Sequence, residues 1–91
     1  MEFLVALSLR ANEVPADDRQ ELYDREAAVA SQLYHGGVVR RMWRLPGRSA
    51  TLSVWEAADA TELHERLLGL PLLPWMDVDV TPLARHYVED S

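Results

Sequence analysis

Hydrophobic and polar positions along the 91 residues fall into six blocks separated by turn-forming residues. Residues 2–10 are a short apolar run that breaks at Asn12–Pro15, which reads as a strand. Over residues 17–35, Leu22, Val29 and Leu33 recur at i, i+7 and i+11, the period of a helix with one apolar side. Asp17 with Gln20, or Asp18 with Glu21, has the spacing that satisfies free N–H groups at a helix start, and Gly36-Gly37 stops the helix. Residues 38–45 and 48–55 read as strands joined at Pro46-Gly47: proline presets the first corner of a turn and glycine permits the second. A second helix is expected over 60–69, capped by Asp59 with Glu62 and ended by Gly69 and Pro71. From Trp75 to Val80, Met76, Val78 and Val80 alternate with Asp77 and Asp79, as in a half-buried strand. Residues 81–91 carry no clear pattern.

The order βαββαβ predicts an α+β, ferredoxin-like fold, a four-stranded antiparallel sheet with two helices on one face. No repeat, linker or low-complexity stretch divides the chain, so 1–91 is expected to form one domain. Helices on one face leave the other in need of a partner. A folded monomer of this size exposes roughly 5,400 Å² against about 15,000 Å² unfolded, which is a thin core. The chain has no Cys, so neither disulfides nor thiolate metal sites reinforce it. A homo-oligomer, a dimer or a larger ring, is the expected remedy.

Charge narrows the range of partners. Fifteen Asp and Glu stand against nine basic residues, all Arg, for a net charge of −6. An acidic chain repels phosphate, which argues against nucleic acid and against an anionic membrane surface. No apolar run approaches the ~18 residues of a membrane span, and no basic leader precedes the first strand. A cytoplasmic protein is expected.

Two groups of residues bear on chemistry. Glu26 lies at i+4 on the Leu22–Val29–Leu33 stripe, where burial disfavours a charged carboxylate. It either reaches solvent or pairs with Arg19, Arg25 or a hairpin Arg, or it serves as a general base tuned by an apolar cleft. In the hairpin, a two-residue turn pairs Arg44 with Ser49, Met42 with Thr51 and Arg40 with Ser53 on one face. That face suits either an anionic small molecule gripped by Arg or a wet subunit interface. His35, His64 and His86 have no ligand spacing among them, so no metal site is expected. His64 reads as a capping or half-buried residue. Nucleotide-binding glycine motifs and a nucleophile elbow are also missing from the sequence.

From Leu63-His64 through Leu70-Pro71-Leu72-Leu73-Pro74-Trp75-Met76-Asp77, and on to Val80, Leu83 and Arg85-His86, the chain resembles the C-terminal half of the muconolactone delta-isomerase family. Arg25-Glu26, Trp43-Arg44, Gly47, Ala50 and Ser53-Val54 fall where that family has matching residues. The resemblance implies a subunit of the dimeric α/β-barrel type, assembled into a ring of up to ten copies. It implies an isomerase acting in aromatic catabolism, within the β-ketoadipate pathway. Such an enzyme moves a ring double bond in a carboxylated, unsaturated five-membered lactone by proton transfer, without metal or organic cofactor. Glu26 occupies the position of the family's helix-borne glutamate and is the expected proton carrier. The residues expected around the substrate are Arg40, Trp43, Arg44, Ser49, Thr51 and His64.

The chain also departs from the family pattern. Ser49-Ala50-Thr51 stands where members carry Tyr-Ala-Asn, Arg41 replaces a His, and Ala27 replaces a Lys. A wider, differently wired pocket follows, which leaves a related lactone or enol open as the substrate beside the muconolactone type. Two other classes stay open on the sequence. One is a cofactor-free monooxygenase or cyclase of the small α/β-barrel type, with Trp43, Trp55 and Trp75 around a larger aromatic substrate. The other is a ligand-binding relative without catalysis.

Overall fold

The computed structural model describes residues 1–90. The elements run β1 (Glu2–Leu9), α1 (Arg19–His35), β2 (Val39–Arg44), β3 (Ala50–Glu56), α2 (Ala60–Leu67) and β4 (Met76–Leu83), with short 3-10 turns between and after them. The strands form one sheet in the order β2-β3-β1-β4 with every neighbouring pair antiparallel. This is the ferredoxin-like arrangement that the order of elements predicts.

Strand alternation sorts the residues. Phe3 lies opposite Trp55 and Pro82, Val5 opposite Ser53 and Val80, and Leu7 opposite Thr51 and Val78. These residues share the face that the helices cover. Phe3, Val5, Val39, Trp55, Leu63, Leu67 and Leu70 make the core there, and Val29 and Leu33 of α1 pack against it half-buried. The other face carries Leu4, Ala6, Leu52, Val54, Trp43 and Leu45 with no helix over it. Trp43 there is 42% exposed, with the Arg41 guanidinium 5.0 Å above its ring.

Helix ends follow from sequence. Asp59 accepts a hydrogen bond from the Glu62 N–H at 2.8 Å and caps α2. At the end of α1, Val38 N–H donates to Leu33 O at 2.9 Å and Gly37 N–H to Tyr34 O at 3.1 Å. This double closure requires a left-handed residue, and Gly37 takes it with φ 81°.

The structure corrects four details. Residues Ala16–Asp18 form a 3-10 turn, so α1 begins at Arg19, and the Asp18 side chain makes no capping bond. Trp75 closes a 3-10 turn rather than opening β4, and β4 runs on to Leu83. Pro82 is tolerated in it because β4 is an edge strand. The hairpin register is shifted by two: Leu45 N–H bonds to Ala50 O, Arg44 lies opposite Thr51, and Met42 lies opposite Ser53. An even shift preserves which side chains share a face. Finally, a bulge between Val39 and Arg41 takes up Arg40 and turns Val39 into the core opposite Trp55.

Candidate active site

Helix α1 crosses the sheet without filling the space beneath it. Tyr23, Glu26, Ala27, Ala30 and Leu33 lie on the side of α1 that borders the cleft, and the two alanines leave room that longer side chains would occupy. Below them lie Leu7 and Leu9 of β1, Met42 and Arg44 of β2, Met76 of β4, and the short side chains of Ser49, Ala50 and Thr51. Leu70 and Leu72 form the end wall. The half-open cleft has a volume of about 560 Å³, within the range of small-molecule sites.

Glu26 is the acidic group bordering this cavity. It is half-buried, and its Oε1 accepts a hydrogen bond from the Leu72 N–H at 2.9 Å. Burial raises its pKa above the ordinary 4.5, and the Leu72 N–H offsets part of that rise by favouring the anion. Among the described residues no Arg forms an ion pair with Glu26, so neither Arg19, Arg25 nor a hairpin Arg neutralises it. Arg44 borders the cavity from β2, exposed. A desolvated carboxylate over an apolar floor, with a cation on the same floor, is suited to shifting a proton on a small carboxylated molecule.

The structure brings Glu26, Arg44, Ser49 and Thr51 together around the cavity and leaves three expected residues outside it. Arg40 is exposed in the bulge, where its charge acts on Glu56. Trp43 alternates onto the opposite sheet face, opposite Leu52. His64 is exposed on α2, because the Leu63–Leu67 side of that helix turns inward. Of the three Trp residues, Trp55 alone borders the cavity, and its Nε1–H donates to Ser53 Oγ at 2.9 Å.

Sequence reasoning missed Tyr23, although its i−3 spacing from Glu26 puts it on the same helix side. It also missed the Leu72 N–H, which no pattern signals because 46 residues separate donor and acceptor. Among the described residues no cluster of three His, Cys, Asp or Glu is arranged to hold a metal ion. No helix among them is long and apolar enough to cross a membrane.

Fold and site together define a small α+β subunit equipped for proton transfer. Comparison with known proteins makes the class specific. The family model described as Muconolactone delta-isomerase matches residues 1–89. The muconolactone delta-isomerase of Cupriavidus pinatubonensis is 38% identical over 87 residues, covering 94% of this chain and 95% of that protein. The one from Rhodococcus opacus is 35% identical over 68 residues, covering 75% and 73%. A crystal structure of muconolactone isomerase superposes with a TM-score of 0.83 at 31% identity, covering 94% of this chain and 91% of that one. A 5-chloro-2-hydroxyhydroquinone dehydrochlorinase from Burkholderia phenoliruptrix shares the fold, with a TM-score of 0.72 at 15% identity and coverage of 97% and 98%. The chain belongs to the muconolactone delta-isomerase family and is thereby an isomerase.

Proposed function

We propose that this chain isomerises a carboxylated, unsaturated five-membered lactone of the muconolactone type, and that Glu26 carries the proton. The observation that carries the reading is the half-buried Glu26 carboxylate beside the cavity, one oxygen held by the Leu72 N–H and no Arg paired with it among the described residues. Glu26 removes the proton from the ring carbon bearing the carboxymethyl arm. The electron pair moves through the ring double bond onto the lactone carbonyl oxygen. Glu26 then returns the proton to the carbon beside the carbonyl, so the double bond has shifted and the carboxylate is regenerated. Arg44 grips the arm's carboxylate, and the hydroxyls of Ser49, Thr51 and Tyr23 are the donors available to the developing oxyanion. Arg40, Trp43 and His64 have no substrate contact in this reading.

The reading includes a homo-oligomer in the cytoplasm, each copy a single domain over 1–91. The helix-free sheet face supports self-association, as does a surface of 6320 Å² against the roughly 5,400 Å² of a compact monomer this size.

The test is Glu26→Gln, which keeps size and hydrogen bonding but removes the base. Solvent deuterium wash-in on muconolactone should fall at least a hundredfold, within the roughly 10²–10⁴-fold that general bases supply, with melting close to wild type. Full-rate exchange in the variant would move the base elsewhere. Unfolding of the variant would make Glu26 structural. No exchange by the wild type would leave the family and fold standing and remove muconolactone as substrate.

A further inference from the structure

The cavity is larger and more apolar than an unsubstituted carboxymethyl lactone needs. Such a lactone has ten non-hydrogen atoms and fills roughly 200 Å³ at interior packing density, against the 560 Å³ of the half-open cleft beneath α1. The surplus has a definite chemistry. Ser49, exposed just before β3, has its carbonyl bonded to the Leu9 N–H at 2.8 Å, and Leu9 lies opposite Met76. Thr51 lies between Leu7 and Arg44 in the register. The short side chains of Ser49 and Thr51 thus border a floor of Leu7, Leu9 and Met76, next to the cation assigned to the carboxylate arm. A small polar lactone held by Arg44 would leave that floor against water. Apolar walls gain when a ligand covers them.

We infer that the substrate carries, on the ring carbon next to the one bearing the carboxymethyl arm, an apolar group about the size of a branched alkyl chain, seated on Leu7, Leu9 and Met76. The inference rests on the proposed proton transfer and specifies the substrate of that same site. A position next to the arm keeps the group close to Arg44, which the floor adjoins through Thr51 and Leu7. The substituted carbon neither loses nor gains the moving proton, so the shift itself is unaffected.

The test compares muconolactone with its 3-isobutyl analogue by solvent deuterium wash-in, each corrected for uncatalysed exchange. Each methylene buried is worth about fourfold in binding, so kcat/KM should be at least tenfold higher for the analogue. Ser49→Tyr, which fills the space from an exposed position, should lower kcat/KM for the analogue at least tenfold more than for muconolactone. Arg48→Tyr, one residue away on the loop and outside the cavity, should leave the ratio unchanged. A wild type that prefers muconolactone, or a ratio that Ser49→Tyr does not move, overturns the inference while leaving the proton-transfer reading intact. Exchange on neither lactone overturns that reading, and this one falls with it.

Discussion

Glu26 is held in a place where its ionised form is costly, and the pH behaviour of the protein follows from that. Because burial raises its pKa, the folded chain binds this proton more tightly than the unfolded chain does. The corresponding stability is fully present below the ordinary value of 4.5 and is lost as pH rises through the raised value. Glu26→Gln should therefore lose less stability than wild type between pH 4 and pH 8, measured by urea unfolding at the two ends. Catalysis runs in the opposite direction, since the base must be ionised. The acid limb of kcat/KM should lie above 4.5 and disappear from the residual rate of the Gln variant. Arg44→Ala should raise KM roughly ten- to hundredfold, the worth of a charged hydrogen-bond partner; an unchanged KM would place the arm's carboxylate elsewhere. Trp55 and Ser53 form a buried pair in which Trp55 Nε1–H donates to Ser53 Oγ, and Ser53 Oγ bonds to Val5 O at 3.4 Å. Ser53→Ala should cost about 1–3 kcal/mol by orphaning the indole N–H. Adding Trp55→Phe should recover part of that loss, because a missing donor needs no acceptor.

At the scale of elements, the turns and caps carry testable weight. Gly47 has φ 77° with open space where a Cβ would stand, so Gly47→Ala meets backbone strain and no clash. It should destabilise by roughly 1–2 kcal/mol without altering the hairpin register, as read from thermal melting and backbone amide shifts. Asp59→Ala should cost about 1 kcal/mol through loss of the α2 cap. The same elements show what the sequence could reveal. Strand and helix identity came from periodicity, and the helix-covered face came from the order of elements, because both depend on local spacing. The shifted register, the bulge at Arg40 and the extension of β4 through Pro82 depend on neighbouring strands, which no local pattern encodes. Glu26 was legible from helical spacing, and Arg44, Ser49 and Thr51 because parity survives an even shift of register. Arg40 was misplaced because one inserted residue reverses parity. Trp43 and His64 were proposed on resemblance, and alternation along β2 and the inward turn of Leu63 and Leu67 carry them away from the cavity.

For the molecule as a whole, the radius of gyration is 14.2 Å, above the roughly 12 Å of a compact domain this long. Its extents of 52 × 26 × 21 Å describe an elongated body with one sheet face bare. Sedimentation at micromolar concentration should find at least a dimer, and the melting temperature should rise with protein concentration, as binding between folded copies requires. A stable monomer would refute this. Helix α1 buries no side chain fully, although it carries Glu26 and roofs the cavity. The sheet's buried core therefore takes only half-buried side chains, Val29 and Leu33, from α1. Opening of α1 alone is expected to cost less than global unfolding, so its amides should exchange with solvent faster than those of β1 and β3. Mild denaturant should then silence the enzyme while the sheet remains intact, and loss of turnover should precede loss of strand signal.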